Sequence, residues 1–270
     1  MTGRLEGRVA LVTGAARGQG RNHALRLAQE GADIIAVDVP GAYTALEYTL
    51  STPDDLAETA RLVGAVGRRV VTAQADVRDS AALTAAADEG VATLGHLDVV
   101  VANAAVCVLH TWDEVTPASW KEVVDTTLTG VWHTITASVP HLIAAGGGSI
   151  ICTGSTSALK GTPFFAPYTA AKHGVLGLAR AMANELGRHA IRVNTVHPTG
   201  VNTDMVRAFT RLEEVIAATD PNLGQLFMNT LHTPFVELDD VSSAVVYLAS
   251  DEARFVTGTE LKVDAGNTNR

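Results

Sequence analysis

Residues 9–20 read VALVTGAARGQG, and the fold follows from how this stretch is punctuated. Val9–Thr13 is a short apolar run of strand character. The segment Thr13-Gly14-Ala15-Ala16-Arg17-Gly18-Gln19-Gly20 then opens a helical stretch that runs towards Glu30. A pyrophosphate needs backbone N–H groups and a helix N-terminus brought close, an approach that Cβ atoms at Gly14, Gly18 and Gly20 would obstruct. Alone, such glycines mark an ordinary tight turn as readily as a phosphate loop. The strand before, the helix after and an acid downstream favour a dinucleotide loop. The acid is Asp38, which ends the second strand-like run 18 residues after Gly20. A carboxylate there can accept hydrogen bonds from an adenosine ribose and repels a 2′-phosphate, so the cofactor expected is NAD rather than NADP. Arg17 is the one feature that pulls the other way.

The strand signal recurs at Asp33–Asp38, Val70–Ala75, Asp98–Ala102, Ser149–Thr153, Arg192–Val196 and Glu260–Val263, which gives seven strands. Ala- and Leu-rich helical stretches lie between them, with start signals at Thr52-Pro53, Asp79-Ser80, Thr116-Pro117 and Leu238-Asp239. Alternation at this spacing predicts right-handed βαβ units: an α/β, doubly wound parallel sheet of Rossmann type with helices on both faces. One domain spanning residues 1–270 is expected, with an insertion near 39–62 and a substrate lid near 198–234. Pro140 falls within a long helical stretch from Ala118 to Ala145, so a kink or break is expected there.

Composition narrows the function. The 270 residues carry 29 Asp and Glu against 20 Lys and Arg, a balance that argues against nucleic acid as a partner, since phosphate tracking needs clustered cations. The nine histidines are scattered and show no H-x-x-x-H spacing with carboxylate support, so no metal site is expected. Cys107 and Cys152 stand apart among apolar neighbours and read as buried, inert thiols. The first apolar run is too short for a signal-peptide core or a membrane span, which predicts a soluble, cytoplasmic protein.

Tyr168 and Lys172 are four apart in YTAAK, within a helical stretch, so both share one helix face. A phenol with a pKa of about 10 is a poor base at neutral pH, and a nearby ammonium favours its phenolate. By itself such a pair is more often a surface contact. Ser155, thirteen residues earlier, follows the fifth strand and would share the carboxyl-end rim of the sheet with Asn103 and the glycine loop. Its hydroxyl could hold a substrate oxygen, although the neighbours Thr153, Thr156 and Ser157 also suit a plain turn. Asp76, followed by Val77 at the end of the third strand, could bound an adenine or simply begin a helix. His197 lies near the crevice and reads as a packed histidine at the core's edge or a substrate contact.

Together these residues resemble the short-chain dehydrogenase/reductase family. The match runs through TGAARGQG, Asp38, ADV at 75–77, ANA at 102–104, Ser155 with YTAAK, and RVNTVHPTGVNT. The resemblance implies an NAD-dependent alcohol dehydrogenase or ketone reductase, with Tyr168 as general acid/base, Lys172 lowering its pKa and binding the nicotinamide ribose, and Ser155 orienting the reacting oxygen. It also implies cofactor contacts from Gly14, Arg17, Gly18, Gln19, Gly20, Asp38, Asp76, Val77, Asn103, Tyr168, Lys172, Pro198, Val201 and Thr203, and a homotetramer. Two positions depart from the family pattern. Ala105 stands where a glycine is usual, and Thr127 stands where the family has an Asn that supports a water in the proton relay, which leaves that relay in question. The segment Val39–Leu62, the TVHPTGVNT stretch and the ending VTGTELKVDAG resemble the mycofactocin-associated, carveol-dehydrogenase-like branch. That implies tightly held NAD beneath the insertion, with Tyr43, Leu46 and Tyr48 as its cover, and a redox carrier as electron acceptor. Met205, Phe209, Leu223, Leu226, Phe227 and Met228 point to an apolar lid and hence a hydrophobic secondary alcohol such as a terpenoid. The competing readings are a non-catalytic NAD-binding sensor or interaction module, favoured by Thr127, and a Ser155 hydrolase, which lacks the G-x-S-x-G elbow.

Overall fold

A computed structural model describes residues 3–39, 43, 46 and 48–269. Seven strands, all parallel, lie in the order β3-β2-β1-β4-β5-β6-β7: β1 Val9–Thr13, β2 Asp33–Asp38, β3 Val70–Gln74, β4 Val99–Ala102, β5 Gly148–Thr153, β6 Ile191–Pro198 and β7 Glu260–Val263. The chain winds outward from β1 to β3, then returns to place β4 on the other side of β1. The switch point thus lies between β1 and β4, where open α/β sheets form their crevice at the carboxyl ends.

The central strands read as unbroken apolar runs because both their faces are covered. In β1, Val9 and Leu11 pack into one core while Ala10 and Val12 pack into the other; in β4, Val100 and Ala102 take the first side and Val99 and Val101 the second. Helices α1 Gly18–Gln29, α2 Pro53–Ala65, α3 Ser80–Leu94, α4 Pro117–Val124, α5 Gly130–Ala144 and α6 Ala166–Leu186 alternate with the strands. Two short helices, α7 Asp204–Arg207 and α8 Leu212–Thr219, precede the last, α9 Leu238–Ala249. Thr52, Asp79 and Thr116 each cap a helix N-terminus by side-chain hydrogen bonds, as their sequence context predicts. Helix α9 instead starts from Glu237, in a reciprocal arrangement with Asp240.

One expectation needs correction. The stretch expected to kink or break at Pro140 has no break there: α5 runs on through Pro140, and the interruption comes earlier, as a π-helical turn at Asp125–Thr129. Of the segment 39–62, expected as an insertion, the part from Pro53 onward belongs to the regular helix α2.

Helix α3 lies so close to the sheet that Gly90 has no room for a side chain: a Cβ there would sit 2.5 Å from Ile35 Cδ1 and 2.8 Å from its Cγ2. Gly90→Ala should therefore destabilise the chain by about 1–3 kcal/mol through overpacking, although helix propensity alone favours Ala by roughly 1 kcal/mol. Chemical denaturation of Gly90→Ala against the same change combined with Ile35→Val tests this. Partial recovery in the double variant is the expected result, and a stabilised single variant would refute the packing argument.

Candidate active site

The carboxyl ends of β1, β4 and β5 are stapled by one side chain. Asn103 Nδ2 donates to the Thr13 carbonyl at 3.0 Å, the Thr13 hydroxyl accepts from the Asn103 and Ala104 N–H groups at 3.1 and 3.2 Å, and Thr153 Oγ1 donates to Asn103 Oδ1 at 3.2 Å. The glycine loop folds down onto this staple. Gly14 and Gly18 have φ of 68° and 54°, and a Cβ on Gly20 would lie 1.9 Å from the Gly14 carbonyl oxygen and 2.8 Å from Asn103 Nδ2. Ala105, in place of the family's glycine, is not in the left-handed region, so its Cβ brings no backbone strain.

Above the rim lies a cleft of about 370 Å³. Gly14, Arg17, Gly18, Gln19, Gly20, Asp38, Val77, Asn103, Pro198, Val201 and Thr203 line it, as do Ser155, Tyr168 and Lys172. A dinucleotide fits these walls: the glycine loop opens α1 without side chains in the way, and Gln19 Oε1 is buried with no protein partner. Asp38 is more committed than its sequence position indicates. Its Oδ2 accepts from the Ala16 N–H at 2.7 Å, and its Oδ1 accepts from the Val39 N–H and the Ser51 hydroxyl, both at 2.8 Å. Burial still lifts its pKa above the usual value against those three bonds. A carboxylate offers roughly four acceptor positions, which leaves one on Oδ2 for a ribose hydroxyl.

Arg17, the residue that argued for NADP, is engaged elsewhere: one Nη donates to the Thr49 carbonyl and the other lies 3.3 Å from Asp204 Oδ2. It bridges the insertion to the lid across the cleft mouth.

Asp76 lies between two residues of the cleft wall, Ala75 and Val77. It is not among the cleft-lining residues; Arg78 holds it through Nε at 2.9 Å and Nη2 at 2.6 Å, and the Arg78 guanidinium stacks 3.9 Å above the Tyr43 ring. Thr127 is also outside the cleft walls. Its hydroxyl donates to the Val106 carbonyl at 3.0 Å and accepts from the Val106 N–H at 3.1 Å, so the side chain ties the π turn to the loop after β4.

Ser155, Tyr168 and Lys172 do converge. Ser155 Oγ accepts from the Ser157 N–H at 3.1 Å, which leaves its proton free to be donated. Tyr168 is raised above the ordinary phenol value chiefly by burial and next by the Cys107 thiol, with the Ser155 hydroxyl pulling the other way. Lys172 is 1% exposed, donates to the Thr153 carbonyl at 2.5 Å, and lies 5.5 Å from the centroid of the Tyr168 ring. Burial lowers its pKa to about 8, and among the described residues it makes no ion pair with a carboxylate. The expected lowering of Tyr168 by Lys172 is therefore not what dominates in the protein alone: desolvation outweighs it.

The insertion roofs this end. Tyr43, Leu46 and Leu50 pack with Val106, Val108, Val123 and Tyr168, and Tyr48 Oη accepts from the Cys107 N–H at 3.1 Å. Residues 40–42, 44, 45 and 47 lie outside the described residues. The far wall is aromatic, with Phe165 edge-on to Phe209 at 5.0 Å and to Phe227 at 6.3 Å, and with Met205 and Leu212 beside them. Of the lid residues expected from sequence, Met205, Phe209, Leu226 and Phe227 line the cleft, whereas Leu223 and Met228 do not. Phe165, Lys160 and Ser51 also line the cleft and were not anticipated, although each lies close in sequence to a residue or segment that was. Among the described residues there is no cluster suited to a metal ion, and no helix is long and apolar enough to cross a membrane.

A family model described as enoyl-(acyl carrier protein) reductase matches residues 14–268. A Mycolicibacterium smegmatis protein described as a short-chain type dehydrogenase/reductase is 51% identical over 99% of both chains. This chain belongs to the short-chain dehydrogenase/reductase family. A (−)-trans-carveol dehydrogenase of Rhodococcus erythropolis is 47% identical, covering 98% of this chain and 99% of its own. The crystal structure of a carveol dehydrogenase from Mycobacterium avium in complex with NAD superposes with a TM-score of 0.92 at 50% identity, covering 100% of both chains.

The buried ammonium yields a pH-dependent prediction for the protein without nucleotide. The pKa of Lys172 is lowered from 10.5 to about 8 on folding. Between those values the folded chain binds fewer protons than the unfolded chain, so stability relative to a Lys172→Met variant rises with pH across that window. Denaturant midpoints for the two proteins on either side of it test the sign; a flat difference would mean the ammonium is solvated.

Proposed function

We propose that this chain is an NAD-dependent dehydrogenase/reductase of hydrophobic secondary alcohols and ketones, and that it holds its NAD tightly for reoxidation by an external redox carrier of the mycofactocin type. The observation that carries the chemistry is the meeting of Ser155, Tyr168 and Lys172 on the rim of one cleft, between a glycine loop and an aromatic wall. The NAD complex of the Mycobacterium avium relative supports the choice of cofactor, and the Rhodococcus carveol dehydrogenase supports an apolar alcohol. NAD, when bound, supplies the hydride acceptor or donor.

The chain's own groups supply position and proton. The Ser155 Oγ–H donates to the substrate oxygen, and Tyr168 Oη passes a proton to or from that oxygen. Because burial keeps the phenol protonated, the resting chain is set to act as the acid in ketone reduction. Alcohol oxidation needs additional positive charge near Tyr168, which Lys172 and an oxidised nicotinamide provide together. The phenyl rings of Phe165, Phe209 and Phe227 exclude water and receive the carbon skeleton. The roof of Tyr43, Leu46, Tyr48 and Leu50, with Arg17 tied to Thr49, accounts for slow cofactor departure, since the insertion must detach before a dinucleotide can leave. Trp120, Trp132 and Ile143, exposed on α4 and α5, fit burial between subunits of a homotetramer.

Protein purified without added nucleotide, dialysed and denatured should release NAD close to one per chain. Release of none means that the cofactor exchanges freely. With an artificial electron acceptor and a panel of cyclic alcohols, Tyr168→Phe should lose about 10²–10⁴-fold in kcat while retaining its NAD. Polar polyols turning over faster than apolar alcohols would contradict the substrate class, and an unaffected Tyr168→Phe would contradict the mechanism.

A further inference from the structure

We infer that His197 is a positioning residue for the reaction, acting through Ser155; the inference rests on the role proposed above for that serine. His197 lies on β6, is fully buried and does not line the cleft, so it touches neither nucleotide nor substrate. Its ring is instead fastened to the serine's main chain. Nδ1 lies 2.9 Å from the Ser155 carbonyl oxygen and 3.3 Å from the Ser155 nitrogen, while Nε2 lies 2.6 Å from Thr195 Oγ1. A neutral imidazole makes one of two pairings. Either Nδ1–H donates to the Ser155 carbonyl with Nε2 accepting from the Thr195 hydroxyl, or Nδ1 accepts from the Ser155 N–H with Nε2–H donating to Thr195. In both, the ring bridges Ser155 to the sheet.

The need for such a bridge follows from topology. The β5 ladder against β6 ends with Thr153 opposite Val196, and after the Gly154 N–H has donated to the Val196 carbonyl at 2.8 Å the chain turns away. Ser155 is the first residue with no strand partner, and its hydroxyl is the one that must meet a reacting oxygen. A misplacement of about 1 Å at such a group costs roughly a hundredfold in rate. His197 supplies the missing anchorage. From the other side, the Ser155 carbonyl accepts from the Ala158 N–H at 3.0 Å and Ser155 Oγ accepts from the Ser157 N–H. Gly154 completes the arrangement: a Cβ there would fall 2.5 Å from His197 Cε1 and 2.6 Å from Nδ1, so a side chain at 154 would push the ring out of place. Facing groups do not oppose this assignment. Burial lowers the His197 pKa, Lys172 and Lys262 lower it further, and the Ser155 carbonyl and Glu260 raise it, so the ring is neutral near pH 7.

The test uses His197→Leu, which removes the bridge, and His197→Asn, whose amide nitrogen can occupy the Nδ1 position, each made in the full chain with and without Ser155→Ala. With Ser155 present, His197→Leu should lower kcat about ten- to a hundredfold with KM and NAD content unchanged, and His197→Asn should recover part of that loss. In the Ser155→Ala background the same His197→Leu change should cost less than about twofold, since its effect runs through a side chain already removed. Equal losses in both backgrounds, or losses in KM and NAD content that match the loss in kcat, overturn the inference and leave His197 a packing residue. Hydrogen–deuterium exchange of the peptide covering 154–159 provides a readout independent of turnover. Exchange there should rise in His197→Leu while α1 and α9 stay protected; unchanged exchange refutes the clamp. If the wild-type chain oxidises no alcohol, it is the proposed function that fails, and the exchange result still decides the clamp.

Discussion

The crevice depends on there being no room between the glycine loop and Asn103. Gly20 lies against the Gly14 carbonyl, Gly14 lies against Ala104 and Asn103, and Asn103 in turn holds Thr13 and Thr153, so three strand ends are locked at one height. Everything chemical hangs from that rim. Lys172 is fixed because the Thr153 carbonyl is fixed, and Ser155 follows two residues later. The sheet beneath is covered on both faces, and so can bear a rim that contains a buried ammonium and backbone in left-handed conformations.

The described residues before α2 cover one end of the cleft. They reach the parts of the protein around the cleft: Ser51 with Asp38, Thr49 with Arg17, Tyr48 with the loop after β4, and Tyr43 with Arg78. Arg17 extends the connection to Asp204 at the start of the lid. The stretch before α2 and the start of α7 are thereby joined through Arg17 of the glycine loop.

The fold was legible in the sequence because the strands are buried on both faces and bounded by turn residues. The Val9–Thr13, Asp33–Asp38 and Glu260–Val263 strands were delimited to the residue, and the others to within one or two. Ser155, Tyr168 and Lys172 were legible because their spacing places them on one loop and one helix face. Less could be read where a side chain's partner is distant in sequence. Arg17 could not be known to spend its charge on Thr49 and Asp204, nor Thr127 to bond both polar atoms of Val106, nor Ser51 to occupy Asp38. The ion pair between Asp76 and Arg78, two residues on, was likewise not marked by the sequence. The π turn at Asp125–Thr129 leaves no mark in local propensity. Pro140, which does leave one, lies within a continuing helix.

The central claim is that hydride passes directly between an apolar secondary alcohol and NAD held in this cleft. The most direct measurement is one turnover of the purified chain with a cyclic secondary alcohol deuterated at its carbinol carbon, followed by denaturation and mass analysis of the released nucleotide. The account predicts reduced NAD carrying the deuterium, and no label when Tyr168 is replaced by Phe. Nucleotide that remains oxidised, or is reduced without the label, would contradict it.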